Sequence, residues 1–286
     1  AEIGVAIVLL TGGEPFIRKD IHEIIYAFES RGIHVRMQTN GFASEKMIEK
    51  AVEAGGKDIS ISLDSLVSTK QDIINGGYNE SWLKALETIS YFTKYLPKKN
   101  SFASLGCVMQ PNNIKDIENV IKFGSSIGWY TSLVPAHVTD YLVPRGFRTF
   151  DNNLRFKESE YSLVKQTIHR VREMRRAGYL LYDSDQYLND ILRFIMNKPI
   201  KWRERNKGNC DSPNLYFALL PNGEFAPCCD HRLEMSYPAY SKDFPKIFKS
   251  KLFRKEVFEV TSKCEGCMYG SYPEITISMR YNSAKI

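Results

Sequence analysis

Two groups of residues have the types and the spacing that chemistry needs. The first is the turn "TGGEP" (11 to 15), set directly after the apolar run "VAIVLL" (5 to 10). Paired glycines permit positive φ and let the backbone come close to a ligand, while Pro15 fixes the exit toward a helix. A small polar ligand fits such a turn, and so does a ligand-free strand-to-helix connection; the tetrapeptide Gly12-Gly13-Glu14-Pro15 does not choose between them. The second group is the cysteines, at 107, 210, 228, 229, 264 and 267. Cys210, Cys228, Cys264 and Cys267 have the pattern of a four-thiolate site: one ligand before a hairpin, one after it, and a Cys-x-x-Cys pair from a later loop. Thiolates so spaced suit zinc or an iron-sulfur cluster, both of which take four soft ligands in tetrahedral array. A structural zinc ribbon and a cluster site both stay open.

Cys229 is a surplus thiol. It reads as a neighbour facing the core, as an alternative to Cys228, or as a hydrogen-atom or proton donor beside the metal site. Cys107 lies mid-strand and reads as core, since free cysteine packs as a small apolar side chain. Disulfides would need a secreted chain, and nothing else here looks secreted, so metal is the better use of a Cys-x-x-Cys pair.

Strands alternating with helices must position these groups. The strands read as 5–10, 33–39 ("IHVRMQT"), 58–63 ("DISISL"), 102–109 ("FASLGCVM") and 129–135 ("WYTSLVP"). Helical stripes separate them: Ile17, Ile21, Ile24, Ile25 and Phe28; Met47, Ile48, Ala51 and Val52; Trp82, Leu86, Ile89 and Phe92; Ile114, Ile117 and Ile121. Ser44 and Asn79 are expected N-caps, and Gly32, Gly55 and Gly128 expected stops. The pattern implies right-handed crossovers and a parallel sheet, open or closed into a barrel, with function where strands end and helices begin. "TGGEP", "TNG" (39 to 41), "SLDS" (62 to 65) and "QPNN" (110 to 113) all fall on that rim. A helix is expected around Tyr161 to Met174 and another over 184–197. The composition then changes, and "NCDSPNLYFALLPNGEFAPCCDHR" (209 to 232) reads as a β-hairpin turning at Pro221-Asn222-Gly223. The expected domains are 1–205 and 206–286.

Composition excludes several classes. The chain is 43% hydrophobic and 25% charged, ordinary for a globular protein. It has no apolar run near the ~20 residues of a membrane span and no signal peptide. The net charge of +6 gathers in "HRVREMRR" (169 to 176) and "KPIKWRERNKG" (198 to 208), where only Trp202 offers a stacking aromatic. Nucleic acid is therefore not the expected partner. The chain starts at Ala1 rather than Met, so its natural N-terminus is expected upstream.

Taken together, "LTGGEP", "TNG", "SISLDS" and Cys-x12-Gly-x4-Cys (210, 223, 228) followed by Cys-x-x-Cys (264, 267) resemble the radical S-adenosylmethionine (radical SAM) superfamily. The branch resembled carries a C-terminal auxiliary-cluster domain of the SPASM or twitch type. The resemblance covers nearly the whole chain. It implies an α/β fold, a partial parallel (β/α)6 barrel followed by a small hairpin-based cluster domain. Gly12, Gly13, Glu14 and Pro15 match the motif that holds the methionine amino group of S-adenosylmethionine. Ser62 and Asp64 match positions near its methionine and ribose, Asn40 shares their rim, and Val108 and Pro135 end strands that pack near the adenine. The four paired cysteines would ligate one auxiliary 4Fe-4S cluster, and with no cysteine after Cys267 the twitch form fits better.

One departure matters. The family's Cys-x3-Cys-x2-Cys loop, which holds the catalytic 4Fe-4S cluster, is absent, since the first cysteine is Cys107. That loop and a first strand are expected upstream of Ala1, and without them the chain should be catalytically dead. The complete protein is expected to cleave S-adenosylmethionine to a 5′-deoxyadenosyl radical, abstract a substrate hydrogen and oxidise or crosslink a peptide. The alternatives are a peptide epimerase with Cys229 as hydrogen donor, a dehydrogenase of a small sugar-like substrate, and a zinc- or cluster-bearing binding module on a degenerate barrel. An electron donor such as flavodoxin or ferredoxin and a cytoplasmic setting complete the expectation.

Overall fold

The computed structural model describes residues 1–137, 153–200, 210–264, 266–269 and 272–276. The chain forms two compact units, the first of Ala1–Leu133 with Gln166–Tyr182, the second of Val134–Lys165 with Asp183–Ile286. The expected boundary near 205, Trp202 and most of the basic run around it lie outside the described residues.

The five expected strands form one sheet: β1 (Ile7–Leu10), β2 (His34–Thr39), β3 (Asp58–Ser62), β4 (Phe102–Met109) and β5 (Tyr130–Pro135), in the order β1-β2-β3-β4-β5. β1 to β4 pair in parallel, with Thr39 level with Ile61 and Ser62 level with Gly106. Between them run α1 (Ile21–Glu29), α2 (Glu45–Glu53), α3 (Ser68–Ile74), α4 (Ser81–Tyr95) and α5 (Ile117–Ser126). Alternation sets the register. Val35, Met37 and Thr39, then Ile59 and Ile61, then Leu105, Cys107 and Met109 are buried, with Ile25, Ile48, Ala85, Ile89 and Phe92 from the helices in the same core. β1 lies at the sheet edge, and Ile7 and Leu9 are exposed.

Three helical details differ from expectation. Ile17 is 75% exposed, because Pro15–Ile17 form a separate 3-10 turn out of phase with α1. Ile114 precedes α5 but is buried. The residue before α4 is Glu80, at φ 67°, and not Asn79. Its cap is supplied from α3: Asp72 accepts from the Glu80 and Trp82 backbone N–H groups and from the Ser81 hydroxyl, at 3.3, 3.0 and 2.8 Å. A borrowed carboxylate does what an N-cap side chain would otherwise do.

α6 (Tyr161–Arg176) and α7 (Asp185–Ile195) fall as expected, α7 capped by the Ser184 hydroxyl, which accepts from Tyr187 N–H at 3.1 Å. The hairpin is β6 (Ala218–Leu219) against β7 (Phe225–Ala226), antiparallel. Two unanticipated helices follow, α8 (Phe244–Lys249) and α9 (Lys251–Thr261). They bring Phe244, Phe248 and Phe253 onto Phe225, with ring centroids 6.3, 6.2 and 4.9 Å away, so an aromatic cluster forms the core behind the hairpin.

Candidate functional site

The rim of the first unit is assembled by two carboxylates that reach across neighbouring strands. Glu14 Oε1 accepts from Phe16 N–H at 2.9 Å, and Oε2 accepts from the Thr39 hydroxyl and Asn40 N–H, both at 2.8 Å. Its charge is therefore spent on joining the end of β1 to the end of β2. Gly12 has φ +137°, and a Cβ added at Gly12 or Gly13 would meet no atom within 4 Å, so the backbone of this exposed turn is open. Gly41, of the "TNG" stretch, has a different reason to be glycine: at φ +99° its added Cβ would stand 2.7 Å from the Ala85 Cα of α4.

Asp64 plays the second linking part. Its Oδ1 accepts from Val108 N–H at 2.5 Å, which ties the end of β3 to the end of β4. Burial pushes its carboxyl up to about 7, a rise the Val108 hydrogen bond partly offsets. Two side chains that sequence reading did not single out lock the same corner. Asn113 Nδ2 donates to the Asp64 and Val108 carbonyls at 2.9 and 2.8 Å, and Gln71 Oε1 accepts from the N–H groups of Asp64 and Ser65 at 2.8 and 2.9 Å. Asn113 sits in "QPNN", which had signalled a rim; its amide serves the backbone. By strand parity Ser62 and Val108 share the face opposite the buried residues of β3 and β4; Asn40 follows β2 directly, and Asp64, just past β3, is itself buried. Pro135 has the buried parity of β5, with Thr131 and Leu133.

In the second unit, Cys210, Cys228, Cys264 and Cys267 line one pocket together with His231 and Tyr272. The hairpin brings Cys228 back to Cys210, and α9 ends at Thr261 to deliver the other two. Each of the four sulfurs accepts a hydrogen bond. The Tyr216 hydroxyl donates to Cys210 at 3.7 Å, His231 N–H to Cys228 at 3.3 Å, Gly266 N–H to Cys264 at 3.4 Å, and Tyr269 N–H to Cys267. Burial pushes the Cys228 thiol up to about 12 and that of Cys267 far above the ordinary range. Thiols so buried lose their protons to a bound cation or cluster and to little else. Among the described residues, no group of three or more His, Cys, Asp or Glu could hold a single metal ion. Cys229 is exposed and outside the pocket lining, its Sγ 3.6 Å from the Tyr272 hydroxyl. Cys107 is buried, as expected of a core thiol.

A rim of this composition on a parallel sheet, followed by a cysteine pocket, defines a class. Residues 1–124 match the Radical SAM superfamily, a family that implies S-adenosylmethionine and an iron-sulfur cluster as cofactors. More particularly, the chain is 30% identical over 183 residues to a probable GTP 3′,8-cyclase of Pyrococcus abyssi, an alignment covering 63% of this chain and 58% of the relative. In fold it is similar to SuiB of Streptococcus suis. The crystal structure of SuiB with S-adenosylmethionine gives a TM-score of 0.60 at 15% identity, covering 87% of this chain and 55% of that one. The structure with the precursor peptide SuiA also gives 0.60, at 16% identity, covering 94% of this chain and 63% of that one. No helix among the described residues is long and apolar enough to cross a membrane.

Proposed function

We propose that this chain forms the cofactor-binding and auxiliary-cluster parts of a radical SAM enzyme that oxidatively modifies or crosslinks a peptide. The observation that carries the reading is the convergence of Cys210, Cys228, Cys264 and Cys267 on one pocket in a chain whose residues 1–124 match the superfamily. The four thiols line one pocket, and four soft ligands suit a four-iron cluster, as they also suit zinc. The open glycine turn at Gly12 and Gly13 fits the amino-acid end of S-adenosylmethionine. When bound, S-adenosylmethionine and a reduced cluster supply a 5′-deoxyadenosyl radical that takes a hydrogen atom, and an auxiliary cluster supplies a one-electron acceptor.

The chain's own residues orient and enclose. Glu14 and Asp64 tie four strand ends together in two pairs, so the cofactor meets a preformed face that includes Asn40, Ser62 and Val108. The likeness to SuiB, which takes in 94% of this chain, favours a peptide substrate, with flavodoxin or ferredoxin as electron donor. The name of the Pyrococcus relative favours a second reading, a nucleotide substrate.

The deciding experiment is iron and acid-labile sulfide analysis of the anaerobically reconstituted chain against a Cys264→Ala, Cys267→Ala double variant. About four irons falling to none is expected, because the sequence has no other paired thiols. Zinc in their place, or iron that survives the double change, overturns the cluster. Saturable GTP binding by the same chain would move the nucleotide reading ahead of the peptide.

A further inference from the structure

The hydrogen bonds described on Cys228, Cys264 and Cys267 come from backbone N–H groups, of His231 and Asp230, of Gly266 and of Tyr269. No side-chain substitution removes those donors. The bond on Cys210 is different: the Tyr216 hydroxyl is a side-chain donor. It is also held in place. Asp211 N–H donates to the same hydroxyl oxygen at 2.9 Å, which leaves the hydroxyl proton for the sulfur. The Tyr216 ring is 7% exposed and lies flat on Tyr272, with centroids 4.2 Å apart and planes 11° apart. A buried, stacked ring cannot swing its hydroxyl away.

We infer that Tyr216 sets the reduction potential of the auxiliary cluster through its hydrogen bond to Cys210. The inference rests on reading the four cysteines as cluster ligands. Reduction adds one negative charge to a cluster, and a donor on a ligand sulfur stabilises the reduced state more than the oxidised one. The Tyr216 hydroxyl therefore raises the potential and makes the cluster a readier acceptor. Tyr237 is the internal control, since its hydroxyl donates to Glu256 and the residue is outside the pocket lining.

The test is a redox titration, followed by electron paramagnetic resonance, of the reconstituted 286-residue chain. Tyr216→Phe is expected to keep the iron and sulfide content of the wild type and to move the midpoint to a more negative potential. Tyr237→Phe is expected to leave it in place. Site-specific 3-fluorotyrosine at 216, a stronger donor of nearly the same shape, is expected to move it the other way, and it serves if the phenylalanine variant fails to load. A loaded wild type whose midpoint is unmoved by the fluorinated residue, or by Tyr216→Phe at full iron content, overturns the inference alone. A wild type whose iron survives the Cys264→Ala, Cys267→Ala change shows instead that the cluster assignment has failed, and the inference falls with it.

Discussion

The strand-end rim of the first unit and the cysteine pocket of the second are held together in opposite ways. On the rim the charged groups are used up internally: Glu14 takes three donors from its own unit, and Asp64 takes Val108 N–H. What stays open there, at Gly12 and Gly13, is backbone. In the pocket the lining groups include the thiols themselves, and burial leaves Cys228 and Cys267 as poor thiolates until a cation arrives. The rim should exist before its cofactor binds. The pocket should depend on its cluster, as small metal sites do when binding energy is folding energy.

Removing the metal makes the largest break in that comparison. Limited proteolysis of the chelated chain is expected to cut within residues 183–286 while residues 1–133 stay protected, the second unit losing on the order of several kcal/mol. Equal protection of both units would show that the aromatic cluster around Phe225 stabilises the pocket unaided. The rim has its own test in pH. Asp64 titrates at about 7 in the folded chain against an ordinary 3.8, so the folded state keeps a proton that the unfolded state gives up between about pH 4 and 7. Stability must fall as pH rises through that window and level off above it. Asp64→Asn removes the titration and can still accept from Val108 N–H. Its advantage over the wild type in urea unfolding is expected to be near zero at pH 4 and to reach on the order of 3 kcal/mol at pH 8. An advantage independent of pH would mean that Asp64 is ionised in place.

The same contrast explains what was legible in the sequence. Alternation exposed all five strands and most of the parity that sorts Ser62 from Ile61 and Val108 from Cys107, because a two-residue period is written directly in side-chain type. The cysteine spacing likewise announced a shared pocket. What stayed hidden depends on partners distant in the chain. Nothing local says that Asp72 caps α4 in place of Asn79, or that Gln71 and Asn113 serve the backbone around Asp64. α3 is seven residues, too short to show a period, and α8 and α9 break at Ser250, which interrupts the spacing of Phe244, Phe248 and Phe253. Tyr216 carries no signal of its own in the sequence; its meaning comes from its contact with Cys210, six residues away, which only the fold makes.

Glu14→Gln gives the smallest effect and the sharpest question about the rim. Glutamine has one carbonyl oxygen where glutamate has two, so its NH2 must face either Phe16 N–H or the Thr39 and Asn40 donors. Thr39 can turn its hydroxyl to accept from the NH2, but the Asn40 N–H cannot reverse and would lose its acceptor. The expected loss is about 1–3 kcal/mol of stability in urea unfolding. If Glu14 only builds the turn, calorimetric titration with S-adenosylmethionine should show weakened binding together with that loss, and Asp64→Asn should not reproduce it. Weakened binding with unchanged stability would put the Glu14 carboxylate in contact with the cofactor, and the rim would then present charge, like the pocket, and not backbone alone.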